Sequence, residues 1–71
     1  MPDSVYKIIE LVGTSTESWE KAAANAIETA AKTLKDLRIA EVILMDAQLE
    51  DGKIHLYRTK LKVSFKYHVE D

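Results

Sequence analysis

The sequence predicts an α+β domain of order β-α-β-β, a three-stranded antiparallel sheet with one helix on one face. Three observations predict it. Apolar residues recur at helical spacing only between Trp19 and Leu34, β-branched and aromatic runs flank that stretch on both sides, and Asp51-Gly52 separates the last two runs as a tight hairpin does. Residues 1–71 read as one domain, without linker, repeat or low-complexity tract, and Pro2, Gly13 and Gly52 are its strong breakers.

The first strand is Val5 to Val12, "VYKIIELV", ending at Gly13. "GTSTESWE" then starts the helix, with either Ser15 as N-cap or Thr14 as N-cap and Glu17 as its capping-box partner. Trp19, Ala22, Ala23, Ala26, Ile27, Ala30, Ala31 and Leu34 follow the i, i+3, i+4 spacing of a single apolar stripe, continuing toward Leu37. Alanine dominates this stripe, which lets another backbone come close but buries less area than leucine would. Trp19, on the stripe, reads as core or interface packing. Glu17 with Lys21 and Glu28 with Lys32 are i, i+4 pairs that mark the solvated side, worth about 0.2–0.5 kcal/mol each.

The second strand lies in "DLRIAEVILMD", Asp36 to Asp46, and is apolar on both faces: Ile39, Ile43 and Met45 on one, Ala40, Val42 and Leu44 on the other. After "EDGK" the third strand alternates from His55 to Val69, a run of roughly 50 Å at about 3.4 Å per residue. So long a strand must bend around the helix or project into a neighbouring subunit. A helical crossover from strand one to strand two, followed by a hairpin, places strand three between them with every pair antiparallel. One helix cannot cover both faces of strand two, so its second apolar face predicts a subunit interface.

Composition supports oligomerisation. A domain of 71 residues buries only about 60% of its unfolded surface. With no cysteine, disulfides and Cys-ligated zinc are excluded as extra stabilisers. Ten basic against twelve acidic residues, net charge −2, argue against affinity for nucleic acid. Moreover, Tyr57, Phe65 and Tyr67 alternate to the face opposite Arg58, Lys60, Lys62 and Lys66, whereas an RNA-binding sheet interleaves aromatic and basic residues on one face. That basic face reads as a solvated surface paired with Glu10 or a neighbour's acids, or else as a phosphate site. The chain has no apolar run long enough to span a bilayer, and "MPDSVYK" lacks a signal-peptide pattern, so the expectation is a cytoplasmic protein with no membrane partner. His55 and His68 lack any Ser, Cys or second His at catalytic or metal-binding spacing, and no enzyme is expected. Asp46, Glu50 and Asp51 are candidate oxygen donors for a hard cation, because symmetry can multiply one carboxylate.

"VYKIIELVGTSTESWEKAAANAIETAAKTL", "AEV" in strand two, the Gly-turned hairpin and "KVSFK" in strand three together resemble the dodecins across nearly the whole chain. The resemblance implies a sheet partly wrapping its helix, and a homododecamer closed into a hollow shell with 23 symmetry. It also implies non-catalytic binding and storage of a flavin (riboflavin, FMN or FAD) at subunit interfaces. Ile39 matches the tryptophan that flanks the flavin ring in typical dodecins, and Arg58 matches the glutamine that hydrogen-bonds its polar edge. Ile39 offers no π-face, which forfeits about 0.5–1.5 kcal/mol of stacking; Arg58 is planar and able to stack or donate. Asp46 matches a position where many flavin-binding relatives carry arginine, and an acid there repels phosphate. These departures resemble a branch without the pocket tryptophan, for which calcium has been proposed as ligand, so Asp46 is the alternative metal residue. Tyr6 and Lys66 match positions that hold the nucleotide of coenzyme A in some dodecins. A purely structural shell without ligand is the third reading.

Overall fold

The computed structural model describes residues 4–67. His68, whose exposed strand-end position is an expectation from sequence, lies outside the described residues. Strand β1 (Tyr6–Ser15), helix α1 (Trp19–Ala31), β2 (Leu37–Glu50) and β3 (Lys53–Lys66) follow one another, and the sheet order is β1-β3-β2, antiparallel throughout. This is the predicted topology, with β3 in the centre.

The element boundaries differ from the sequence reading, most consequentially at the end of β1 and the start of α1; β2 also runs on to Glu50, β3 begins at Lys53 and the helix ends at Ala31. Strand β1 runs through Gly13 to Ser15 rather than stopping at Val12. Gly13 is not a breaker: it is buried inside the strand, where a Cβ would collide with the carbonyl oxygen of Ala22 and lie 2.9 Å from the Ala26 Cβ. Its missing side chain is what lets α1 sit on the sheet. The helix consequently begins later, and its N-cap is Ser18, neither Ser15 nor Thr14. Ser18 is extended (φ −167°, ψ 164°) and its hydroxyl accepts from the Lys21 amide at 3.0 Å. Ser15 instead shapes the turn into the helix, its Oγ accepting from the amides of Glu17 at 2.9 Å and Ser18 at 3.4 Å. Glu17 therefore precedes the helix and forms no intrahelical pair with Lys21. At the other end Lys32 and Thr33 donate to the carbonyls three residues back, at 3.2 Å each, and Asp36 at φ 59° turns the chain into β2.

The alanine stripe is as expected: Ala22, Ala26 and Ala30 are buried, and Ala26 packs with Leu61 and Val63 of β3, with Ile9, Leu11, Ala23 and Leu37 around them. The core is small, and the fully buried side chains of β3 are Thr59, Leu61 and Val63. Beyond Thr59 the hairpin continues without the helix, turns at Asp51 and Gly52 (φ 53° and 75°), and carries exposed Leu49 and Ile54. Those two positive angles are what a two-residue turn matching the sheet twist requires. The molecule is an elongated ribbon measuring 55 × 20 × 14 Å.

The largest departure is within β2. Val42 faces Leu61 but Leu44 faces Lys60, so Ile43 is an extra residue, and further register shifts fall between Leu37 and Ile39 and between Gln48 and Leu49. A bulge reverses the side on which every later residue points. Met45 therefore joins Ala40 and Val42 on the helix face, opposite Thr59, Val63 and Leu61, whereas Leu44 joins Ile39 on the outer face. Both faces stay apolar as predicted, but their membership changes. Ile39, Val42, Leu44 and Met45 all remain at least half exposed in the isolated chain.

Candidate functional site

The outer face of the sheet, away from α1, collects Tyr6, Ile39, Asp46, Arg58 and Lys66, whereas Glu50 and Asp51 lie at the hairpin turn. Cross-strand pairing puts Tyr6, Ile8, Glu10, Val12 and Thr14 of β1 on the same face as Arg58, Lys60, Lys62, Ser64 and Lys66 of β3. Ile39, Glu41, Leu44 and Asp46 join them from β2. Tyr57 and Phe65 lie on the helix face, as the alternation predicts.

The site residues separate into two groups. At one end, Tyr6 is the register partner of Lys66, and Ile39 pairs with Ser64, two residues along β3. Ile39 is 67% exposed and borders a small notch of about 110 Å³ with Ile8, Glu41, Lys62 and Ser64. Toward the hairpin end, Arg58 pairs with Asp46. Ser64 and Arg58 are six residues apart in one strand, about 20 Å at the usual rise, so Ile39 and Arg58 do not meet within one chain.

Asp46 and Arg58 are joined to each other. The Arg58 guanidinium donates from Nε to Oδ1 at 2.8 Å and from Nη2 to Oδ2 at 3.0 Å, a two-pronged pair that matches the planar geometry of both groups. Donation from Arg58 and its positive charge hold the Asp46 carboxyl below its ordinary range, and Asp46 in turn raises Arg58. A carboxylate lowered on folding contributes stability above its unfolded value, and that contribution is lost as pH falls through the folded one. The pair is therefore intact at neutral pH. Both side chains are roughly half exposed, so solvent screens the interaction.

Asp46 is also tied down through its backbone. Its carbonyl accepts from the Trp19 indole Nε1 at 2.9 Å, across the sheet edge from the helix start. Trp19 further meets Tyr57 edge to face at 4.8 Å between centroids, and its own carbonyl accepts from Thr59 Oγ1 at 2.9 Å. Trp19 is thus a packing residue, as its place on the stripe suggests, and it also orients the strand that carries Asp46.

Lys60 reaches Glu10 at 3.5 Å, the cross-strand pairing expected for the basic face. His55 Nδ1 lies 3.6 Å from Glu50 on the exposed hairpin. Among the described residues no three His, Cys, Asp or Glu side chains are grouped to hold a metal. Asp46 offers a single carboxylate, whereas calcium takes six to eight oxygens, waters included. Among the described residues no helix is long and apolar enough to cross a membrane.

Sequence reasoning missed the Asp46–Arg58 pair. Counted strictly back from the Asp51-Gly52 turn, Asp46 would face Tyr57; the shift beside Gln48 and Leu49 moves it opposite Arg58. The opposite charges were the available signal, but bulge positions are not written in a residue pattern.

The described residues form a small β-α-β-β chain with a thin core and with apolar strand residues exposed in the isolated chain. The dodecin family profile matches residues 5–68, and the chain belongs to the dodecin family, whose members are non-catalytic binding proteins. It is 48% identical over 63 residues to calcium dodecin of Mycobacterium tuberculosis, covering 89% of each chain. It is 39% identical over 62 residues to a dodecin of Thermus thermophilus, covering 87% of this chain and 90% of the relative. The fold superposes on the Streptomyces coelicolor dodecin structure with a TM-score of 0.93 at 33% identity, over 99% and 100% of the two chains. On the crystal structure of the calcium-chelating calcium dodecin of Mycobacterium tuberculosis, the TM-score is 0.83 at 44% identity, over 96% and 97%.

Proposed function

We propose that this chain assembles as a homododecamer of 23 symmetry, a hollow non-catalytic shell that holds a divalent cation, calcium foremost, at Asp46. The observation that carries the cation is Asp46 itself, an ionised carboxylate displayed on the outer face beside the exposed amide of Gln48. No ring of β2 or β3 shares that face, because Tyr57 and Phe65 turn inward. The 48% identity to a calcium dodecin supports the same choice. Copies gathered at an axis would supply the remaining oxygens, and calcium must compete with Arg58 for the carboxylate.

Calorimetry tests this directly. Calcium titrated into the wild type should give saturable heat, and Asp46→Ala should lose it; equal heats remove Asp46 from the site. Assembly is tested separately by light scattering after gel filtration. The expected mass is twelve times that of one chain, and a stable monomer would leave the open faces of β2 unexplained.

A second reading, flavin storage, is favoured by the apolar notch at Ile39 and the planar Arg58. Because those residues lie about 20 Å apart in one chain, a flavin pocket using both joins two copies. The register pair Tyr6 and Lys66 is the corresponding place for a nucleotide phosphate. Riboflavin and FMN fluorescence should be quenched at low micromolar protein if flavin is the cargo; unchanged fluorescence with both ends that reading. Ile39→Trp with Arg58→Gln should raise flavin affinity, and no gain over wild type would place the pocket elsewhere.

A further inference from the structure

The ribbon ends in a two-stranded arm. Ser15, the last residue of β1, pairs with Tyr57, so beyond that point the sheet is reduced to β2 and β3. A lone two-stranded hairpin is at best marginally stable in water. This one also sorts its side chains by face. Met45 lies on the helix side, and two-residue alternation along β2 puts Ala47 and Leu49 there with it, opposite Tyr57 and Ile54. Asp46, Gln48 and Glu50 take the other side with Arg58 and Lys53. The arm is therefore uncharged on the helix side and charged on the other, and Leu49 and Ile54, 64% and 48% exposed, form its bare apolar end.

A complementary recess lies at the base of the same face. Trp19, Ala23, Val42, Met45 and Thr59 line an apolar pocket of about 410 Å³ between α1 and β2, with Glu20 as its one charged group. Trp19 is fixed there by its indole bond to the Asp46 carbonyl at 2.9 Å and by its contact with Tyr57. The arm cannot enter its own recess, because Leu49 and Met45 are four residues apart in one extended strand, about 14 Å. Residues 1–3 and 68–71 do not reach the arm either. The Tyr67 amide donates to the Val5 carbonyl at the opposite end of the ribbon, roughly 40 Å from Ile54, and each of those segments spans at most about 14 Å. The rim charges are complementary as well. The hairpin turn carries Asp51 and Lys53, the first helical turn Glu20 and Lys21, and among the described residues none of the four is in an ion pair.

We infer that the hairpin arm of one copy docks in the Trp19 recess of a second copy, with Ile54 and Leu49 entering against Met45, Val42 and Ala23. Docking of this kind rests on the assembly proposed above and specifies which surfaces of the chain build it. It covers the apolar side of the arm and, on the receiving copy, the helix side of β2, where Val42 and Met45 are at least half exposed in the isolated chain. A shell of 23 symmetry has two-fold and three-fold axes, and either can relate arm and recess.

The chain has one tryptophan and no cysteine, so Trp19 emission and engineered thiols each report on the recess without background. Ile54→Asp, outside the core, should keep the far-UV circular dichroism of the wild type, lose the twelve-chain species in light scattering and shift Trp19 emission to the red. Met45→Cys combined with Ile54→Cys should oxidise to intermolecular disulfides, seen as covalent dimers for a two-fold contact or trimers for a three-fold one, while each single variant stays uncross-linked. A bond within one chain is barred, since bridged Cα atoms lie within about 7 Å. An assembled wild type whose mass and emission persist in Ile54→Asp overturns the docking and leaves the shell standing. A double-cysteine variant no more cross-linked than the single ones does the same, and it decides alone should Ile54→Asp fail to fold. A monomeric wild type overturns shell and docking together.

Discussion

Gly13→Ala is expected to destabilise the fold by roughly 3 kcal/mol, the upper end of what overpacking a core costs. The added methyl would strike the Ala22 carbonyl and press on the Ala26 Cβ at 2.9 Å. The first obstacle is backbone, which has no rotamer by which to move aside. Relief requires α1 to lift from β1, and that separates the buried Ala22, Ala26 and Ala30 from the sheet. Gly52→Ala is the informative contrast: nothing lies within 4 Å of a Cβ there, and the cost is the strain of φ 75°, about 1–2 kcal/mol. Urea unfolding followed by far-UV circular dichroism, at equal chain concentrations, should place Gly13→Ala well below both wild type and Gly52→Ala. A midpoint for Gly13→Ala equal to that of wild type would show that the helix does not sit where the structure places it.

The second large effect is expected at Trp19. Its removal by Trp19→Ala forfeits the indole hydrogen bond to the Asp46 carbonyl, the edge-to-face contact with Tyr57 and the half-buried apolar surface of the indole itself. These are worth about 1 kcal/mol each, so a loss of about 3 kcal/mol follows. Trp19→Phe keeps a ring against Tyr57 and gives up chiefly the N–H donor, so about 1 kcal/mol is expected. The same unfolding measurement reads both. Trp19→Phe as damaging as Trp19→Ala would mean that the hydrogen bond, not the packing, dominates. No loss in either would sever the proposed link between the helix start and the strand carrying Asp46. If Asp46 holds calcium as proposed, Trp19→Phe should also weaken that binding, since it frees the backbone of Asp46.

Much of the fold is legible because it rests on local patterns. Asp51-Gly52 demands a turn with two positive φ angles, and such a turn is there. Alanines every fourth residue declare a helix that packs closely, and the period-two alternation of β3 separates its lysines from Tyr57 and Phe65 correctly. The helix start was misread because Gly13 has two uses in proteins, as a breaker and as a place of close approach, and only the position of Ala22 across space distinguishes them. The faces of β2 were misread because alternation assumes an uninterrupted ladder. A single extra residue, Ile43, exchanges the destinations of Leu44 and Met45.

The site was legible residue by residue but not as an arrangement. Asp46 and Arg58 stood out separately, as contributors to rival ligands, and the structure joins them in one ion pair. Ile39 and Arg58 stood out together, and the structure sets them far apart along β3. By itself the sequence determined the order of elements, the helix stripe, the hairpin, the surplus of apolar strand surface and the dodecin resemblance, all of which follow from spacing along the chain and side-chain chemistry. Only the tertiary structure decided register, and with it which side chains share a face and which charge meets which. Register depends on bulges, and a bulge is settled by packing between distant segments that no local pattern encodes.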